Sequence, residues 1–313
     1  MYSIGVDVGG MSIKVGIVDE NGVIVKKDRV VTVKNPEKDI DNTANLIEKL
    51  LKEQKLEITD ISGIGVGCPG AVTSSTGVVD FLPNLDWYNV DLVGILKKRF
   101  DTKIIISNDA NVAALGEVIY GCAKGYKTCV MFTLGTGVGG GIIIDGKLFE
   151  GNQSKGAELG HTTLILDGEP CGCGRRGCIE SYVSATALIN QTQKAMLEDK
   201  SSKMWDFVDG DIEKVDGRTA FESAKQGDKT ACKVRDTYVK YLSESMMSMF
   251  NIFRPEAFII GGGVSAQGDY LIDRVKEYCE KYEYGYKASP KPEILVATLG
   301  NDAGIIGAAA LVK

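Results

Sequence analysis

Residues 4–19, IGVDVGGMSIKVGIVD, return 126 positions further on as residues 130–145, VMFTLGTGVGGGIIID, without a gap between the two frames. Gly9 falls on Gly135, Ile17 on Ile143, Val18 on Ile144 and Asp19 on Asp145. Each copy reads as an apolar strand, a glycine-rich tip, a second strand and a closing turn, the pattern of a hairpin. Consecutive glycines at such a tip expose backbone N–H groups that can hold phosphate oxygens. Asp7, at the end of the first strand, could hold a cation directly or through water. Taken alone, a DxGG hairpin reads first as a tight turn with no ligand. Two copies, one early in each half, predict a duplicated domain whose tips face one another across a cleft and grip a phosphate chain.

Working outward, a third cluster, Gly261, Gly262 and Gly263, follows the apolar strand AFII and precedes a helix beginning near Asp269. Glycines there let a flat ligand or a neighbouring backbone come close, and a simple loop remains the other reading. Between the two hairpins, Asn35 and Pro36 open an amphipathic helix. Strand 61–66 feeds the turn GCPGAV, and FLPNLDW at 81–87 is expected as a loop carrying Asn84, ahead of a short helix at roughly 90–99. Strand 103–107 runs straight into Asn108 and Asp109, after which a helix continues through Tyr120. Asp109 stands where a strand ends and a helix begins, so it reads either as a helix cap or as an ionised general base favoured by the helix dipole. Residues 186–250 are expected to be mostly helical around a polar, turn-rich insert at 199–218, with Met246, Met247 and Met249 filling the core.

The segment ELGHTTLILDGEPCGCGRRGCIE, residues 158–180, holds the only histidine of the chain and three of its eight cysteines. His161, Cys171, Cys173 and Cys178 make the one-imidazole, three-thiolate set that a structural zinc ion takes. The alternatives are a disulfide or idle thiols. Cys171 and Cys173 are too close in sequence to bridge easily, and an acidic chain without an export signal is expected where thiols stay reduced. Glu158 and Glu180 flank the loop; they read either as a polyol clamp held beside the imidazole or as two solvated acids.

The chain has 313 residues, is 44% hydrophobic and carries a net charge of −6. That length fits two domains with sizeable cores. The acidic balance disfavours nucleic acid as a partner. No apolar run is long enough to cross a membrane as a helix, so a cytoplasmic protein is expected.

DVGG at 7–10, PN at 83–84, NDAN at 108–111, LGTGVGGG at 134–141, ELGH at 158–161, CGCGRRGCIE at 171–180 and GGGVS at 261–265 together resemble bacterial sugar kinases of the ROK family (repressors, uncharacterised frames and kinases), in particular its zinc-containing glucokinases. The resemblance implies an α/β, actin-like (ribonuclease-H-like) ATPase fold with two similar domains around a central cleft. Residues 1–115 plus 301–313 would form the small domain, and 116–300 the large domain with the zinc loop. By the same likeness Gly9, Gly10, Ser12, Lys14, Gly135, Thr136 and Gly137 would hold ATP phosphates. Asp7 would organise Mg2+, and Gly261, Gly262 and Gly263 would flank adenosine. Asn84, Asn108, Asp109, Glu158, His161 and Glu180 would take the sugar hydroxyls, with Asp109 as the catalytic base. His161 would place one ring nitrogen on zinc and the other toward the sugar. A homodimer is implied as well; domain closure over sugar is expected from the two facing glycine hairpins.

One position departs from the family pattern. Met11 stands where DxGGT has threonine, so a hydroxyl contact to phosphate is lost or moves to Ser12. Glucose is the expected acceptor at its primary C6 hydroxyl; the alternatives are N-acetylmannosamine or N-acetylglucosamine. A sugar-responsive repressor of the same family would carry a winged helix-turn-helix ahead of the first hairpin, which here starts at residue 4. A non-catalytic sugar-binding relic would explain Met11 but not the retained Asp109 and glycine clusters.

Overall fold

The computed structural model describes residues 1–285 and 290–313. The chain divides into two compact units: Met1–Cys129, Gly141–Ala157 and Thr298–Lys313 make the first, and Val130–Gly140 with Glu158–Ala297 the second. The sequence reading starts the second domain at residue 116, whereas residues 116–129 and 141–157 pack with the first unit. Close packing is the reason: a Cβ added at Gly141 would meet the Ala114 side chain at 2.4 Å.

In chain order come β1 (Tyr2–Val8), β2 (Ser12–Val18), β3 (Ile24–Val31), α1 (Pro36–Gln54), β4 (Ile61–Cys68), β5 (Ala71–Thr73), β6 (Val78–Leu82), β7 (Trp87–Asp91), α2 (Leu92–Lys97), β8 (Ile104–Asn108) and α3 (Asp109–Ile119). Then follow β9 (Cys129–Leu134), β10 (Val138–Ile144) and β11 (Lys147–Leu148), the division between units falling inside β10. The second unit continues with α4 (Glu180–Val183), α5 (Ala185–Glu198), α6 (Met204–Phe207), α7 (Thr219–Lys225), α8 (Lys229–Phe253), β12 (Ala257–Gly261), α9 (Asp269–Tyr282) and β13 (Glu293–Val296). The chain ends with α10 (Ala303–Ala310), back in the first unit.

The repeat seen in the sequence is a repeat of topology. One five-stranded sheet has the order β3-β2-β1-β4-β8 and the other β11-β10-β9-β12-β13. In both, a hairpin and a third antiparallel strand lie on one side and later strands pair in parallel on the other. Shifting β2 by 126 positions lands on β10, residue for residue.

Burial explains the first unit. Ile4, Val6, Ile13, Val15, Ile64 and Val66 are sealed in one cluster between sheet and helices, and each such side chain contributes about 1.5–3 kcal/mol on leaving water. α10 lies on this sheet because both surfaces are stripped of side chains: an added Cβ at Gly5 would come 1.9 Å from Ile305 O, and one at Gly65 1.7 Å from Ala308 O. α1 begins where expected, with the Asn35 side chain accepting from Lys38 N–H and Pro36 in the first turn.

Two local expectations change. The FLPNLDW segment is not one open loop: its ends belong to β6 and β7, paired antiparallel with Leu82 opposite Trp87, and only a 3-10 turn at Pro83–Leu85 joins them. Trp87 and Leu82 are fully buried, so the pair closes like any apolar hairpin, and the helix beyond starts later, at Leu92. The insert at 199–218 contains α6 and a 3-10 turn, anchored where Trp205 Nε1–H donates to Met196 O at 3.0 Å.

Candidate active site

In the first unit, β1 brings Asp7 opposite Lys14 on β2, and Lys14 Nζ donates to Asp7 Oδ2 at 2.9 Å. Lys14 therefore points to the same side as Asp7. The turn between the strands closes as Gly9 N–H donates to Ser12 O. Thr32 steadies its far side, donating its hydroxyl to Gly10 O at 2.9 Å and its N–H to Met11 O. Met11 itself is 87% exposed at the tip. A Cβ at Gly304 would meet the Asp7 carboxylate at 2.6 Å, so the first turn of α10 stands against Asp7 with the favourable end of its dipole.

Asn108 ends β8 and caps α3: its Oδ1 accepts from Ala110 N–H at 2.9 Å while its amide donates to Gly70 O at 3.2 Å. The cap is thus Asn108, and Asp109 occupies the first helical position with its carboxylate exposed. Asp109 Oδ1 also accepts from Ala110 N–H, at 2.9 Å. Asn84 sits, also exposed, on the 3-10 turn between β6 and β7. Behind β8, buried Ser107 donates to Glu150 Oε1 at 2.5 Å, and Ser74 donates to the same oxygen at 2.8 Å. Ser74, Ser107 and Glu150 were not legible as a group, because they are far apart in the chain and follow no periodicity.

In the second unit, the β9–β10 tip is held by its neighbours. Gly135 N–H donates to Gly137 O, Ala185 N–H to Gly135 O, and Thr186 Oγ1 to Thr136 O at 2.8 Å. Glu180 Oε2 accepts from Val138 N–H at 2.9 Å, and a Cβ on Gly137 would stand 2.3 Å from that oxygen. Gly262, at φ +83, packs against Leu134, with Gly261 ending β12 and Gly263 opening the next turn.

The cysteine–histidine loop folds onto itself as Thr163 bridges Cys178, and His161 closes a 3-10 turn that begins beyond Glu158. The donor atoms of His161, Cys171, Cys173 and Cys178 all lie within 4.8 Å of one another. Cys171 Sγ is 3.6 Å from His161 Nδ1, and Cys173 Sγ is 3.7 Å from Cys178 Sγ. Two thiolates each about 2.3 Å from a tetrahedral zinc would stand about 3.8 Å apart, so the donor set fits that ion. The same spacing is too long for a disulfide, and the cysteines are free. The Arg175 amide holds the Cys173 thiol below its ordinary range, while burial pushes Cys178 up to about 12. Glu180 Oε1 lies 3.6 Å from Cys171 Sγ, so this carboxylate touches both the loop and the hairpin. Glu158 is exposed and gives its backbone carbonyl to His161 N–H.

Known proteins share this architecture. The chain is 38% identical to a glucokinase of Thermotoga maritima over 99% of its own length and 96% of that protein. It is 34% identical to a glucokinase of Streptomyces coelicolor over 99% and 97% of the two chains. Among solved structures it matches a ROK family glucokinase from Streptomyces griseus in complex with glucose and AMPPNP, with a TM-score of 0.82 and 33% identity over 99% of each chain. The fold is the actin-like ATPase fold that the duplicated sheets announce. The family model described as ROK family matches residues 3–313, and the chain belongs to the ROK family.

Proposed function

We propose that the protein is an ATP-dependent glucokinase, which moves the γ-phosphoryl group of ATP onto the C6 hydroxyl of glucose. The reading is carried by full-length similarity to glucokinases at 34–38% identity, together with an exposed Asp109 on the first turn of α3. Asp109 takes the proton of the C6 hydroxyl as that oxygen attacks in line. Asn84, Asn108, Glu158, His161 and Glu180 accept or donate at the other hydroxyls. Glu180 keeps lone pairs for this even while bonded to Val138 N–H, since a carboxylate offers about four acceptor positions.

The N–H groups of Gly10, Thr136 and Gly137, with Gly9, Gly135 and Ser12 shaping the turns, serve the phosphates. Gly261, Gly262 and Gly263 leave room for adenosine. Mg2+, when bound, neutralises charge between the phosphates; Asp7 would hold it, and Lys14 orients that carboxylate. His161, Cys171, Cys173 and Cys178 would hold a structural zinc ion that shapes the sugar-binding loop and takes no part in the chemistry. His161 Nδ1, 3.6 Å from Cys171 Sγ, is the nitrogen on the zinc side, which leaves Nε2 for the sugar.

No helix among the described residues is long and apolar enough to cross a membrane. With free thiols throughout, the reading is a cytoplasmic enzyme, and a homodimer is the assembly that the family resemblance supports. The test is ADP release from ATP over a panel of glucose, mannose, fructose, N-acetylmannosamine and N-acetylglucosamine. Fastest turnover with glucose is expected. A preference for an N-acetylated sugar would replace the acceptor, and silence with every sugar would overturn the kinase reading.

A further inference from the structure

The four-residue helix α4 joins the cysteine–histidine loop to the β9–β10 hairpin, and it is tied on both sides. Toward the loop, Ser181 Oγ donates to Pro170 O at 3.0 Å, Glu169 N–H to the Tyr182 hydroxyl at 2.6 Å, and Ile179 N–H to Thr162 O at 2.9 Å. Toward the hairpin, Val138 N–H donates to Glu180 Oε2 at 2.9 Å, and Thr186 Oγ1 donates to Thr136 O at 2.8 Å. Gly137 has no side chain where the Glu180 carboxylate fits, so tip and carboxylate are matched in shape.

We propose that Glu180, assisted by Thr186, is a positioning residue for the phosphate hairpin, so that order in the cysteine–histidine loop is felt as nucleotide affinity. The proposal rests on the kinase reading and extends it: the metal loop would serve the phosphoryl donor as well as the sugar. A tip built from Gly135, Thr136 and Gly137 has little stiffness of its own. Fixing it from outside removes an ordering cost that a bound phosphate would otherwise carry. Because such coupling is reciprocal, bound nucleotide should also raise the affinity for the metal by the same factor.

Calorimetry with ADP and Mg2+, without sugar, tests this on the zinc-loaded protein. E180A should bind ADP about tenfold more weakly, and T186V a few-fold more weakly, while E180Q, which keeps an oxygen for Val138 N–H, stays near wild type. Stripping zinc from the wild type should weaken ADP by a factor like that of E180A, and stripping E180A should add little, as expected for two perturbations of one connection. At equilibrium, ADP should also raise, by about the same factor, the concentration of a colorimetric chelator that removes half of the zinc. Should E180A fail to fold by circular dichroism, T186V and the stripped wild type carry the test. Unchanged ADP affinity in E180A, T186V and stripped protein overturns the proposal and leaves the kinase reading standing, as does E180Q binding as weakly as E180A. A wild type that binds no ADP overturns both.

Discussion

At the scale of single residues, Asp109, the proposed base, follows directly on the residue that caps α3. Asn108 caps α3, and exposed Asp109 also accepts from Ala110 N–H at 2.9 Å, so a change to Asn keeps both its size and an oxygen for that donor. Asp109→Asn is expected to lower kcat by about 10²–10⁴ while sugar affinity, read by intrinsic fluorescence or calorimetry, shifts less than about threefold. An Asn variant of full activity would take the base away from this position. Met11 makes the opposite prediction. It stands exposed at the tip, with its backbone held by Thr32, so a hydroxyl can be restored there without repacking. Met11→Thr is expected to lower the KM for ATP by about twofold to tenfold, the worth of one hydrogen bond, with kcat little changed. A KM that stays put would mean that Ser12 already supplies the contact.

At the scale of elements, the first unit depends on how α3 and α10 are fastened. Glu117 is completely buried near the end of α3, where its carboxylate accepts from Thr298 N–H, Leu299 N–H, the Thr298 hydroxyl and Cys122 N–H. Those bonds hold the segment that leads into α10. Glu117→Ala would strand several buried donors, and about 3–5 kcal/mol of unfolding free energy should be lost, measured by urea denaturation. Glu117→Gln should lose less, because its amide oxygen still accepts. This carboxylate was invisible in the sequence: it lies in the apolar part of α3, and its partners Thr298 and Leu299 are 181 and 182 positions away. The hairpins and the opening of α1 were legible, since alternation, glycine pairs and an Asn-Pro start act through neighbours a few residues apart. The 81–87 segment was misread because its strand residues number too few on either side of Pro83 to show a period before they are paired.

For the whole molecule, ligand binding should appear as stability. Glucose at about a hundred times its Kd is expected to add about 2.7 kcal/mol and to raise the midpoint of thermal unfolding in a dye-based melt, with xylose giving less. Metal analysis should find one zinc per chain, and removing it should lower that midpoint and the response to glucose together; a zinc-free protein that melts unchanged would remove the ion from this account. What the sequence determined alone was the duplicated hairpin, the residue types of the cysteine–histidine loop and the family, because each is written in short runs whose spacing already constrains the backbone. Tertiary structure decided which donor atoms gather within 4.8 Å of one another, that Asn108 rather than Asp109 caps α3, and that Glu180 reaches the β9–β10 hairpin. Those contacts join residues whose separation along the chain carries no local energy, so only the packed chain brings them together.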